Sequence, residues 1–279
     1  MKLKWENIPL YGFLLLFLVF TGGPFLWLLL TSLKESREIF LSPFSWPQSP
    51  SLDNFYRAWS VGNFAVYFQN SLLLTSFTVL STIALSAPAA YSLSKHRFRG
   101  SSALQFFFLA GLMVPIQLAV VPLFFQMKTL GLLNSRFGLF LVYLATSLPF
   151  AIFLLLGFFR RMPDSLREAA ILDGASEWVA FWKVLFPLAK PGLATVAIIT
   201  FLGVWNEYLV AFTLLSGHGS EVVRTLPLGL ANLTVVGQFR TDFGLLFAGI
   251  VIVMVPTLIA YVTLEKALTK GLTAGAVKE

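Results

Sequence analysis

A chain of 279 residues that is 57% hydrophobic and only 12% charged has too little polar surface to cover a water-soluble globule. Its 29 Phe and long uncharged runs make a lipid bilayer the natural solvent. The absence of Cys excludes disulfides and thiolate metal sites, and the net charge of +7 is explained by loops facing lipid headgroups without invoking nucleic acid.

Uncharged stretches run from Asn7 to Leu33, Ala58 to Ser94, Ser101 to Met127, Phe137 to Phe159 and Phe243 to Leu264. From Pro191 to Gly219 the only acid is Glu207, so this stretch also reads as a crossing. The expectation is an all-α polytopic membrane protein: one domain, 1–279, with six transmembrane helices at about 9–33, 68–93, 103–126, 137–159, 192–215 and 243–264. The first run is longer than the apolar region of a cleavable signal peptide and no cleavage box follows, so it is expected to be retained. Outer loops are expected at 34–66, 127–136 and 216–242, and a cytoplasmic loop at 160–190.

Orientation follows from Lys and Arg, which are retained on the cytoplasmic side during insertion. An even number of crossings puts both termini on one side, with Lys2, Lys4, Lys95, Arg97, Arg99, Arg160, Arg161, Arg167, Lys183, Lys190, Lys266, Lys270 and Lys278. The other side holds Lys34, Arg37, Arg57, Lys128, Arg136, Arg224 and Arg240, partly offset by acids. Both termini are therefore expected to be cytoplasmic.

The loop at 160–190 is long for a connection inside a helical bundle. Pro163 and Asp164 precede Ser165-Leu166-Arg167-Glu168, a capping-box pattern that predicts a helix start. Leu166, Ala169 and Ala170 share one face, and Gly174 permits the left-handed turn that ends a helix. Trp178, Phe181, Trp182 and Leu185 recur at i, i+3, i+4 and i+7, an aromatic stripe suited to the headgroup boundary, before Pro187 and Pro191 redirect the chain.

Glu168-Ala169-Ala170, three residues, Gly174, nine residues, then Val184-Leu185-Phe186-Pro187 resembles the EAA loop of binding-protein-dependent ABC importer permeases. Val184 and Phe186 stand where that family usually has Ile and Leu, which keeps the positions apolar. Trp205-Asn206-Glu207 and the segment Gly271-Leu272-Thr273-Ala274-Gly275-Ala276-Val277-Lys278 are similar to motifs of the carbohydrate permeases of maltose type, although Glu279 follows where Gly is common. Thr31-Ser32-Leu33-Lys34 and Leu52-Asp53-Asn54-Phe55 resemble that group as well.

The resemblance implies that Leu166, Glu168, Ala169, Ala170, Asp173, Gly174 and Pro187 form a coupling surface that docks on a cytoplasmic ATPase. It also implies two ATPase subunits, a second related permease, an extracytoplasmic solute-binding protein, and a cytoplasmic-membrane location. The chain has no G-x-x-x-x-G-K-[ST] loop, so it is expected to be no enzyme and to hold no cofactor, with ATP and Mg bound by the partner subunits. Alternating access then drives the solute through.

Within the spans, Glu207 reads equally as a structural group or a solute contact. Asn206 shares that ambiguity. Gln117, between Pro115 and Pro122, either lines a translocation path or bonds helix to helix. Trp178 and Trp182 read as interface anchors rather than ATPase contacts. His96 and His218 are isolated, and no metal site can be assembled from them. No Lys or Arg falls within a predicted span, which favours a neutral sugar, a disaccharide or oligosaccharide, over an anionic solute such as a glycerol phosphate. An ATPase-independent channel or scaffold remains as the other reading, but no filter or ring of charge is visible.

Overall fold

The computed structural model describes residues 8–217, 219–236 and 242–276. Lys2, Lys4, His218, Arg240, Lys278 and Glu279, which enter the sequence reading, lie outside the described residues. In chain order the helices are α1 (Ile8–Ser32), α2 (Ser36–Leu41), α3 (Asp53–Ser60), α4 (Phe64–Lys95), α5 (Ser101–Met113), α6 (Ile116–Thr129) and α7 (Arg136–Arg161). They continue with α8 (Asp164–Leu172), α9 (Glu177–Ala180), a π-helical turn at Phe181–Leu185, α10 (Phe186–Leu188), α11 (Lys190–Trp205), α12 (Leu209–Leu215), α13 (Leu226–Val236) and α14 (Phe243–Ala276). The secondary structure among the described residues is helical throughout, as the composition requires of a chain that must satisfy its backbone inside lipid.

Four helices are individually long and apolar enough to cross a membrane: α1, α4, α7 and Phe243–Thr263 of α14. Two bent pairs, Ser101–Met113 with Ile116–Thr129 and Glu177–Leu188 with Lys190–Trp205, raise the number to six among the described residues if each pair is counted as one span. The third expected span, 103–126, is thus no single rod. Its halves meet at 101° because Pro115 forces Val114 into an extended conformation (φ −86, ψ 109). The stretch expected as the fifth span, 192–215, is interrupted at 206–208, where side chains compete for backbone groups: Asn206 Nδ2 donates back to the Leu202 carbonyl at 2.9 Å and Glu207 caps α12. The segments expected as outer loops, 34–66 and 216–242, are themselves partly helical, holding α2 and α3 in one and α13 in the other.

The chain divides into two compact units, Met1–Ala65 with Gly229–Pro256, and Val66–Leu228 with Thr257–Glu279. In the first, the apolar window of α1 buries nothing, and only Thr31 and Ser32 at its end are enclosed. Asn54 closes that end: its Nδ2 donates to the carbonyls of Ser32 and Lys34 at 2.9 and 2.8 Å, satisfying groups a helix terminus leaves open. Asp242 precedes α14 and accepts from the Leu245 amide at 3.1 Å, the Ser36 hydroxyl at 2.7 Å and the Arg57 guanidinium.

The second unit has two apolar cores. One is built from Ala87 and Tyr91 of α4, Leu155 and Phe159 of α7, Phe181 and Leu185 of the π turn, and Val196 of α11. Gly192 lets α11 approach α7, since a Cβ there would sit 2.7 Å from the Phe158 ring. The other core joins Met127, Leu139, Tyr143, Val210, Leu214 and Leu228 from α6, α7, α12 and α13.

Candidate functional site

The loop expected to act in coupling begins where α7 ends at Arg161. Pro163 caps α8 with backbone alone, and no side-chain cap bond forms at this end, so the capping box expected of Ser165 and Glu168 is absent. Asp164 instead turns to Lys95 at the end of α4. The Lys95 ammonium, on a side chain only 5% exposed, donates to Asp164 Oδ1 at 2.7 Å and to the Met162 carbonyl at 2.6 Å. That bond and the positive charge hold the Asp164 carboxyl below its ordinary range.

At the other end of α8, Gly174 adopts φ +89, and the amides of Gly174 and Ala175 donate to the carbonyls of Ile171 and Ala170 at 2.9 and 3.0 Å. This is a Schellman closure, and it fulfils the expectation of a left-handed turn at Gly174. Ser176 then caps α9 by accepting from the Val179 amide at 3.4 Å. Between these turns no residue of α8 is buried. Leu166 is 39% exposed and Leu172 is 88% exposed. Glu168, Ala169, Asp173, Gly174 and Pro187 are exposed, and Ala170 is half-buried. The helix thus presents the apolar side chains of Leu166, Ile171 and Leu172 outward and buries none of its residues within this chain.

Its back is braced. Glu177 accepts from Arg167 Nε at 3.1 Å, from the Arg167 Nη2 group, and from the Tyr91 hydroxyl at 2.9 Å, with His96 Nε2 4.0 Å away. The Arg167 guanidinium, aided by the Tyr91 bond against slight burial, holds the Glu177 carboxyl below its ordinary range. Arg160 reaches Gln105 at 2.5 Å, and Gln105 in turn donates to the Leu93 carbonyl at 3.0 Å. Tyr91, Lys95, Arg167 and Glu177 were not distinguishable from the sequence as site residues. The one signal was basic charge at Lys95 and Arg167, which topology alone explains.

The aromatic stripe expected along this segment divides. Phe181 and Leu185 are 1% and 0% exposed in the core, whereas Trp178 and Trp182 remain exposed. The division falls between two i, i+4 pairs: Phe181 and Leu185, the ends of the π-helical turn, share the buried face, and Trp178 and Trp182 share the exposed one.

A cavity of about 580 Å3 lies in the second unit among α5, α6, α7 and α11. Its polar lining comes from Tyr143, Thr146, Ser147, Thr200 and Glu207, with Gly203 on its wall. Glu207 Oε1 accepts from the Val210 amide at 2.7 Å, and Oε2 from the Ala211 amide at 3.0 Å and the Tyr143 hydroxyl at 2.6 Å. The one acid in the spans is therefore a helix cap and a cavity-lining group at once. Asn206 is exposed and accepts from Thr257 at 3.4 Å, while Gln117 is exposed on α6; neither lines the cavity. Thr146 and Ser147 spend their protons on carbonyls of α7 at 2.9 and 2.7 Å, which leaves oxygen lone pairs as acceptors facing a ligand. No cationic side chain lines this cavity.

Helices long and apolar enough to cross a membrane, an exposed and braced loop, and a cavity lined by hydroxyls and a carboxylate fit a transporter's membrane subunit. The chain belongs to the family described as binding-protein-dependent transport system inner membrane component, whose model matches residues 82–271. It is 39% identical to the diacetylchitobiose uptake system permease protein NgcG of Streptomyces coelicolor over 96% of this chain and 88% of that protein. With the trehalose transport system permease protein SugB of Mycobacterium tuberculosis it shares 34% identity over 91% of this chain and 92% of that one. Its fold matches a chain in the crystal structure of a bacterial ABC transporter involved in import of the acidic polysaccharide alginate. That match has a TM-score of 0.80 at 25% identity and covers 95% of this chain and 99% of the other.

Proposed function

We propose that this chain is one of two related membrane subunits of an ATP-driven importer, and that it carries a neutral disaccharide or oligosaccharide delivered by an extracytoplasmic binding protein. The observation that carries the ATPase part is α8: no buried residue, apolar side chains outward, and a polar brace behind. Residues 166–174 supply the docking surface, with Pro187 shaping the return to the membrane. ATP and Mg belong to two partner subunits, and both termini of this chain are cytoplasmic.

The sugar assignment is supported by the names of the relatives and by the cavity chemistry. Hydroxyl and carboxylate oxygens suit a polyol, and an anion such as a glycerol phosphate would meet Glu207 with no cation to offset it. Its volume falls in the range of small-molecule sites. Vesicles holding the complete transporter and its binding protein test both parts. Labelled disaccharide or oligosaccharide should accumulate only with ATP on the coupling-loop side; accumulation without ATP overturns the coupling assignment, and uptake of glycerol phosphate in place of sugars overturns the solute assignment.

A further inference from the structure

The segment after α1 leaves four large apolar side chains in the open: Phe40 is 67% exposed, Leu41 72%, Phe44 86% and Trp46 74%. In a solvated loop this would be a costly patch. Its depth relative to two membrane-crossing helices says otherwise. The Phe44 ring lies 6.1 Å from that of Trp27, tilted by 38°, and Trp27 Nε1 donates to the Pro43 carbonyl at 2.9 Å. Trp27 lies five residues inside the Ser32 end of α1, about 7 Å at 1.5 Å per residue. Trp27 also meets Phe247 edge-on at 5.4 Å, and Phe247 lies four residues inside α14, about 6 Å from its start. Phe40 meets Phe243, the first residue of α14, edge-on at 4.9 Å. The chain therefore leaves α1, makes α2, and comes back down alongside both helices to the level of their last turns.

Irregular backbone at that depth survives only if its polar groups are satisfied by protein. The carbonyls of Ser42 and Pro43 are so satisfied. Lys34, 1% exposed, directs its ammonium to the Ser42 carbonyl at 2.9 Å, the Pro43 carbonyl at 3.3 Å and the Ser45 hydroxyl at 3.4 Å. Three acceptors match the three donors of a lysine. The Pro43 carbonyl takes the Trp27 indole as well, and the Ser42 carbonyl also takes the Ser45 amide at 3.3 Å and hydroxyl at 3.0 Å. A buried cation serving neutral oxygens of one turn has no evident use in water, where those carbonyls would be hydrated.

We propose that residues 40–46 form an interfacial foot, seated in the headgroup and acyl boundary of the lipid leaflet at the Ser32 end of α1. Lys34 closes its backbone, and Phe44 and Trp46 face lipid. The exposed face of the foot continues the lipid-compatible surface of α1, whose apolar window buries nothing within this chain.

The chain contains no Cys, so single cysteines report cleanly. Leu41→Cys and Trp46→Cys are labelled with a nitroxide in the complete transporter, reconstituted in phosphatidylethanolamine and phosphatidylglycerol vesicles. Ser49→Cys, at an exposed polar position, is the aqueous reference. Collision rates with oxygen and with a water-soluble nickel chelate are compared. The expected result is a several-fold excess of oxygen over chelate collisions at 41 and 46, reversed at 49. Chelate access at 41 and 46 equal to that at 49 overturns the proposal by placing the segment in water. Low rates with both reagents also overturn it, because another protein would then cover the segment. Leu41→Cys removes an exposed side chain and keeps every aromatic contact, so its reading stands even if Trp46→Cys disturbs the turn.

Discussion

At the residue scale, Gly174 and Gly203 carry opposite arguments. Nothing lies within 4 Å of a Cβ placed on Gly174, so the obstacle to a side chain is its own backbone at φ +89, costing about 1–2 kcal/mol. A β-branched residue would move the turn and tilt α8. Gly174→Val should therefore insert normally yet lose most solute uptake and solute-stimulated ATP hydrolysis, while Gly174→Asn, which tolerates this region, should lose less. Uptake and hydrolysis in vesicles at matched protein levels decide the matter, and unchanged values for Val would remove the turn from the coupling surface. Gly203 is the reverse case: it sits in a helix with ordinary φ and open space beside it, on the cavity wall. Gly203→Ala should be tolerated or stabilising by up to about 1 kcal/mol. Gly203→Phe should fill the cavity and abolish uptake with assembly intact, as read by uptake assays beside co-purification of the partners.

At the element scale, the coupling loop is held by one carboxylate on each of α8 and α9, each met by cations or hydroxyls from elsewhere. Arg167→Glu and Glu177→Arg singly should each weaken coupling, and the double exchange should restore part of it, measured as solute moved per ATP hydrolysed; no rescue would mean that the pair acts separately. Both Glu177 and Asp164 have pKa values lowered by their partners. Each therefore stabilises the braced form above the carboxylate's ordinary pKa, and that contribution is lost as pH falls through the lowered folded value. Coupling should survive mild acidification past the ordinary value of Glu177, 4.5, and fail only below it, and Glu177→Gln should erase that transition. None of this brace was legible in the sequence, because Tyr91 and Glu177 are 86 positions apart and hydropathy carries no pairing information. The Schellman turn at Gly174 was legible, since only local chemistry is needed. The break at Val114 was half-legible: Pro115 was visible inside an apolar run, but prolines also ride inside helices here, as Pro122 does in α6 and Pro149 in α7.

For the whole molecule, crossings were readable because about 20 apolar residues decide insertion by themselves, whereas short helices inside the outer loops depend on packing that periodicity over six or eight residues does not reveal. Reporter fusions after Ala276 should show cytoplasmic activity, and strong extracytoplasmic activity there would reverse the proposed topology. The segment at 222–226 is strapped down: the Asn70 amide donates to the carbonyls of Val222 and Arg224 at 2.8 and 2.9 Å, and Ser71 accepts from the Leu226 amide at 2.8 Å. Ser220 is 1% exposed and Val222 66% exposed, so a photo-reactive group at Val222, not Ser220, should cross-link the binding protein during turnover; no adduct there would exclude this edge from the docking face. The same separation of duties governs the other side. Because α8 buries none of its residues and is fastened by Lys95, Tyr91, Arg167 and Glu177, its outward positions are free to drift. On the proposed reading, substitutions on that outward face would change what docks there while leaving the helix fastened in place.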